Sequence, residues 1–200
     1  MYVVKVIAIF LFDVVFAHLM YRVKYTNKEK EEQLDKCLIC PNHSNMLEPF
    51  WIYVKTPNTW VMAKAEMFKY KLIGGFFRFF NVFPIRRGEK DARSIIHAIN
   101  IVTKTDKVRL LIFPEGTRIP KEKERGEAKV GPVYIAAKTN VPIVPAYITK
   151  NAKLFRRVEI IYGDPIYLPE GIDKDKEKVQ EYSNLLLDKI YALKEEAKYK

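Results

Sequence analysis

Short apolar runs alternate with helical patterns along most of the chain, and this alternation constrains the fold more than any other feature. Strand-like segments lie near residues 23–25, 37–39, 60–62, 108–113, 143–148 and 158–162. Helical patterns near residues 50–54, 91–103 and 133–138 fall between them, and a charged helix runs from about Asp173 to the end. Elements in this order predict an α/β fold, a single domain with a central mostly parallel or mixed sheet flanked by helices. At 200 residues and 48% hydrophobic, the chain supports one substantial core rather than two. In open sheets of this kind chemistry gathers on loops beyond the carboxyl ends of strands. Three segments qualify: "PNHSNMLEP", "FPIRRG" and "FPEGTR".

The first of these breaks an apolar strand with His43 and reaches a carboxylate, Glu48, five residues later. On one continuous helix five residues would set the two side chains about 140° apart, out of contact. Pro49 resolves the problem, because proline suits the first helical turn and disfavours helical dihedrals at the residue before it. His43 is therefore expected in the loop and Glu48 at the helix N-terminus, where a carboxylate is favoured and can fold back on the imidazole. That is the arrangement of a general base held by a carboxylate, although a carboxylate that merely caps the helix has the same spacing. In the other two segments Arg86, Arg87 and Arg118, with Thr117, are the forked and single donors that a phosphate monoester needs; either segment alone is equally a surface turn.

Charge narrows the partners. The formal net charge is +11, and all of the excess lies before residue 151, since residues 151–200 carry ten Lys/Arg against ten Asp/Glu. Residues 62–90 combine seven basic and two acidic residues with seven aromatics, a mixture that suits a bilayer's headgroup boundary or, alternatively, a buried aromatic helix with solvated lysines. The first 25 residues are apolar, yet only 16 separate Lys5 from Arg22, and Asp13 and His18 are among them. A span needs about 20. Nine large apolar residues from Val6 to Phe16 contribute roughly −0.3 to −0.6 kcal/mol each to insertion, and Asp13 opposes them by about 2.5 to 3.5 kcal/mol. Residues 1–25 are expected to form an apolar helix lying in the membrane interface, with residues 26–200 as the α/β domain; a plain core helix is the alternative. No cleavage-site pattern follows a basic leader. Cys37 and Cys40, spaced C-x-x-C within an apolar run, are expected on opposite faces of a strand as buried residues rather than a redox pair.

Taken together and in this order, the motifs resemble the bacterial 1-acylglycerol-3-phosphate acyltransferase family, within the wider glycerophospholipid acyltransferases, over about residues 37–165. Asn42 and His43 match the family's N-H, with Glu48 where that signature has an aspartate. "KAEMFKYKLIGGFFRFFNVFPIRRG" is similar to the second motif, with Arg87 at its usual arginine and Arg86 where an acidic residue is common. "FPEGTR" matches the third motif completely, and "VPIVPAYI", around Pro142, looks like the fourth.

This resemblance implies direct acyl transfer from acyl-CoA or acyl carrier protein to the free hydroxyl of lysophosphatidate, with His43 as general base paired with Glu48. It implies Arg87, Thr117 and Arg118 on the acceptor phosphate, Lys64 as a further candidate, Glu115 positioning the acceptor or its loop, and Gly116 allowing the turn. Neither cofactor nor metal is implied, and the chain has no G-x-S-x-G, P-loop or metal-ligand cluster. The implied location is the cytoplasmic face of the cell membrane, peripheral or monotopic, against an anionic surface. A non-catalytic basic protein of the membrane surface is the alternative, as is an acyltransferase for another lysophospholipid. Nucleic-acid binding has the charge but no recognisable motif.

Overall fold

The computed structural model describes residues 19–56, 58–85, 92–120, 122–150 and 152–197. Strand β2 (Lys36–Pro41) is buried over five of its six residues, as a strand covered on both faces must be. Parallel to it on either side lie β5 (Val108–Leu111) and β6 (Ile143–Ile148). Beyond β5 the sheet continues in parallel through β3 (Thr59–Lys64) to β4 (Val82–Ile85). On the other flank β7 (Glu159–Tyr162) runs antiparallel to β6, and β1 (Lys24–Thr26) runs parallel to β7. Among the described residues the order is β1-β7-β6-β2-β5-β3-β4, the mixed sheet that the alternation implies.

Helices α1 (Glu29–Glu32), α2 (Glu48–Lys55), α3 (Lys71–Phe79), α4 (Ala92–Lys104) and α5 (Gly131–Thr139) connect successive strands, and α6 (Lys176–Ala192) follows β7. Successive side chains of β2 point to opposite faces. Cys37 and Ile39 pack with Trp51, Ile52 and Tyr53 of α2. Leu38 and Cys40 pack on the other face, in one cluster with Ala98 of α4, Val133 of α5 and Leu186 of α6. The chain leaves β2 towards β3 on the first face, and leaves β5 towards β6, in the opposite direction, on the second. Adjacent strands whose connections diverge in this way open a crevice at their carboxyl ends, between the loops after β2 and β5.

The expected strands all form, most of them shifted by a residue or two, and β4 was not anticipated because Pro84 interrupts it. Proline is tolerated there because β4 is an edge strand, where a missing N–H breaks no ladder. The C-terminal helix begins at Lys176 rather than Asp173, since the Asp175 carboxylate caps it by accepting from the amides of Glu177 and Lys178, each at 3.1 Å. Within residues 62–90 the buried-helix alternative fails: only Gly74 of α3 is buried, and Leu72 is 90% exposed. Residues 1–18, which carry most of the expected N-terminal helix, lie outside the described residues. No helix of the described residues is long and apolar enough to cross a membrane.

The cysteines sit as expected, buried and unlinked on opposite faces of β2. Three residues of strand separate them by about 10 Å, beyond disulfide reach. Burial pushes the Cys37 thiol up to about 12, with Glu31 adding to the effect, and burial raises Cys40 as well. At pH 8 the Cys37 thiolate fraction is on the order of 10⁻⁴. Iodoacetamide is expected to leave both cysteines unmodified in the native chain and to alkylate both in denaturant; rapid alkylation of the native chain would contradict this placement.

Candidate active site

The loop after β2 is anchored before it turns. Asn42 continues the strand ladder with its side chain: Nδ2 donates to the Ile148 carbonyl at 2.9 Å, and Oδ1 accepts from the Ile148 amide at 2.7 Å. His43 follows in the loop and Glu48 opens α2 with Pro49 in its first turn, as the sequence implies. His43 Nδ1 lies 2.7 Å from Glu48 Oε2. The Glu48 carboxylate also accepts from the Ser44 amide at 2.9 and 3.1 Å, from Ser44 Oγ at 2.7 Å and from the Asn45 amide at 2.9 Å. Asn45 tightens the loop in turn, its Oδ1 accepting from the Leu47 amide at 2.9 Å.

The Glu48 side chain makes no cap to its own helix but folds back over the loop that precedes it. Fully buried, it gathers donors only. With the His43 proton on Nδ1, the carboxylate accepts from that N–H and Nε2 keeps a lone pair. Phe113 stacks on the imidazole with ring centroids 3.9 Å apart and 24° between planes, fixing the ring's orientation. Among the described residues nothing bonds to Nε2, and the side chain is nearly buried, 9% exposed.

The loop after β5 supplies the other wall. Phe113 to Gly116 closes as a turn, with the Gly116 amide donating to the Phe113 carbonyl at 3.0 Å and Gly116 at φ +67°, a conformation that favours glycine. Glu115 is buried, and its carboxylate is filled from within. Oε2 accepts from the His43 amide at 3.1 Å, while Oε1 accepts from the Gly126 amide at 2.8 Å and from Tyr191 Oη at 2.7 Å. A Cβ on Gly126 would stand 2.5 Å from Ile119 Cδ1, so only glycine brings this amide to Glu115 without a shift. The Ile119 amide donates to the His43 carbonyl at 2.7 Å, which places Thr117 and Arg118 beside His43, and both are exposed. Lys150 straps the same loop down, its Nζ donating to the Lys123 and Glu124 carbonyls and lying over the Tyr191 ring.

The structure therefore brings together His43, Glu48, Glu115, Gly116, Thr117 and Arg118. Lys64 is exposed at the carboxyl end of β3 and paired with Glu66 at 3.3 Å. Arg87 lies outside the described residues, two places beyond the carboxyl end of β4. Three contributors carried no sequence signal for their roles. Ser44 looked like any loop serine, Asn42 meets its partner 106 positions away, and Tyr191 lies in the charged C-terminal helix, 76 positions from Glu115. Burial and the Glu115 carboxylate raise the Tyr191 hydroxyl, which holds it as a donor.

A family model described as Acyltransferase matches residues 22–149. The 1-acyl-sn-glycerol-3-phosphate acyltransferase of Streptococcus pneumoniae is 28% identical over 183 residues, covering 87% of this chain and 67% of that protein. The protein of the same name from Bacillus subtilis is 30% identical over 157 residues, covering 72% of this chain and 74% of that protein. The crystal structure of the 1-acyl-sn-glycerophosphate (LPA) acyltransferase PlsC from Thermotoga maritima is similar in fold, with a TM-score of 0.72 at 22% identity, covering 98% of this chain and 81% of that one.

Proposed function

The chain belongs to the acyltransferase family, and on that premise we propose that it transfers a fatty acyl group from acyl-CoA or acyl carrier protein to the free hydroxyl of 1-acylglycerol-3-phosphate, a step of phospholipid biosynthesis. The observation that carries this reading is the 2.7 Å contact between His43 Nδ1 and Glu48 Oε2, with Nε2 bonded to no described residue. His43 Nε2 takes the proton of the acceptor hydroxyl as its oxygen attacks the thioester carbonyl. The new C–O ester bond forms, the C–S bond breaks, and the imidazolium returns the proton to the departing thiolate. Glu48 fixes the tautomer and stabilises the imidazolium. The exposed Arg118 and Thr117, together with Arg87, receive the acceptor phosphate, and Lys64 lies within the same end of the sheet. Glu115, with both oxygens engaged by the His43 and Gly126 amides and Tyr191 Oη, positions His43 rather than touching the acceptor. Residues 1–25 attach the domain to an anionic membrane surface, as a peripheral or monotopic protein on the cytoplasmic face.

The test is product formation: purified chain, 1-acylglycerol-3-phosphate and labelled acyl-CoA or acyl carrier protein yield labelled phosphatidic acid. No transfer from either donor would overturn the reading. Replacing Arg118 by Ala removes a charge-assisted donor worth about 1.5–3 kcal/mol, or roughly 10- to 150-fold. The loss is expected in kcat/KM for lysophosphatidate and not for an acceptor that lacks the phosphate; equal losses with both acceptors would assign Arg118 another task.

Tyr191→Phe leaves Glu115 Oε1 with the Gly126 amide alone and loosens the loop behind His43. Its expected effect is a fall of about 10-fold or more in kcat with the KM for both substrates nearly unchanged, since one hydrogen bond to a charged group is worth about 1.5–3 kcal/mol. A rise in KM with kcat intact would instead make Tyr191 part of the substrate surface.

A further inference from the structure

The turn between β6 and β7 places large apolar side chains where water gains nothing from them. The Arg156 amide donates to the Lys153 carbonyl at 3.0 Å, closing a turn with Leu154 and Phe155 at its tip. Phe155 adopts φ +62°, a conformation that this turn position normally reserves for glycine or asparagine. Both side chains are nonetheless exposed, Phe155 at 66%. Lys153, Arg156 and Arg157 surround them, also exposed, and residues 152–157 contain no acidic side chain. The turn is held rigidly to its neighbour: the Phe155 amide donates to the Met20 carbonyl at 2.6 Å and the Val158 amide to the Tyr21 carbonyl at 3.2 Å.

Its place in the sheet gives this composition a meaning. The turn follows the carboxyl end of β6, and β1 and β7 run against the five parallel strands, so residues 19–21 begin at that same end. His43 lies there too, with exposed Met46 beside it and exposed Leu19 next to the turn. Helix α3, with Leu72 and Phe76 exposed, starts beyond the carboxyl end of β3. Exposed apolar side chains therefore lie on both sides of the crevice, with Lys153 and Arg156 beside those of the turn, a pattern that matches an anionic lipid surface and not bulk water.

We propose that the turn at residues 153–156 is a docking finger for an anionic bilayer, inserting Leu154 and Phe155 among the acyl chains with Lys153 and Arg156 at the phosphate level, so that the catalytic crevice opens onto the membrane. This goes beyond attachment through residues 1–25 and rests on the reading that the acceptor is a membrane lipid.

The full chain is mixed with vesicles of phosphatidylcholine with or without phosphatidylglycerol, and its partition is measured by co-sedimentation. Leu154→Ser/Phe155→Gly is expected to bind the mixed vesicles at least about tenfold less well. Its melting temperature should hold or rise, because glycine suits φ +62°, and its turnover with a soluble short-chain acceptor should stay unchanged. Lys153→Gln and Arg156→Gln should each lose about fivefold on the mixed vesicles and nothing on phosphatidylcholine alone. Undiminished partition of the double variant would overturn the finger while leaving membrane attachment standing, as would a lowered melting temperature, which would make Phe155 a structural residue. If the unaltered chain itself ignores vesicles containing phosphatidylglycerol, the membrane reading and the finger fail together.

Discussion

His43→Ala is expected to lower turnover by about 10² to 10⁴, the range that a positioned general base contributes, while the chain stays folded. The fold should survive because the imidazole is held by the loop and does not hold it: Asn42 remains clamped to Ile148, and Glu48 keeps its bonds to Ser44 and Asn45. The loss should appear in kcat and in kcat/KM alike, since proton transfer belongs to the transition state and not to ground-state binding. Arg118 and Thr117 are untouched by the change, so the affinity for lysophosphatidate should hold. Near-normal turnover in a variant with an unchanged melting temperature would remove His43 from the chemistry.

Glu48→Gln is the other substitution with a large expected effect, and the donors around the carboxylate say why. Oε1 meets the Ser44 amide at 3.1 Å, the Ser44 hydroxyl and the Asn45 amide, while Oε2 meets the Ser44 amide at 2.9 Å and His43 Nδ1. A glutamine amide can satisfy only one of these two sides with its oxygen. Keeping it toward Ser44 and Asn45 retains more bonds and turns the NH₂ toward His43, which must then accept at Nδ1 and carry its proton on Nε2. The base would lose the lone pair it needs, and turnover should fall by about 10² to 10⁴. Glu48→Asp keeps the charge but draws it back by about one methylene, so a larger share of activity should remain than in the Gln variant. Measuring melting temperatures beside the rates separates this from a packing effect, because a helix cap alone would cost about 1 kcal/mol of stability and little turnover. A folded Glu48→Gln protein at the unaltered rate would take Glu48 out of the pair.

Local signals carried much of this account. Apolar runs of strand length between helical patterns specified the α/β architecture, and Pro49 alone was enough to divide loop from helix between His43 and Glu48. The cysteines were readable from strand alternation. What stayed hidden depends on distance along the chain or on the sheet's edges. Nothing near Tyr191 indicates that its hydroxyl meets Glu115, and nothing near Asn42 indicates that its amide replaces a rung of the ladder at Ile148. Strand β4 escaped because its proline reads as a break, and becomes tolerable only once the strand is known to be an edge. Glu115 looked equally suited to the acceptor and to the loop until its oxygens were seen to be filled by His43, Gly126 and Tyr191. The exposure of α3 was undecidable from composition, since the same aromatic and basic residues suit a buried helix and a bilayer surface.

The central claim is that Glu48 holds His43 with its proton on Nδ1, so that Nε2 faces the acceptor as a base. Nitrogen NMR of the chain labelled with ¹⁵N in histidine tests it most directly, with the His43 signals identified by their loss in His43→Ala and read at a pH where the imidazole is neutral. The account predicts a protonated Nδ1 and a bare Nε2 in the unaltered chain, and the reverse in Glu48→Gln. A proton found on Nε2 of the unaltered chain would contradict it.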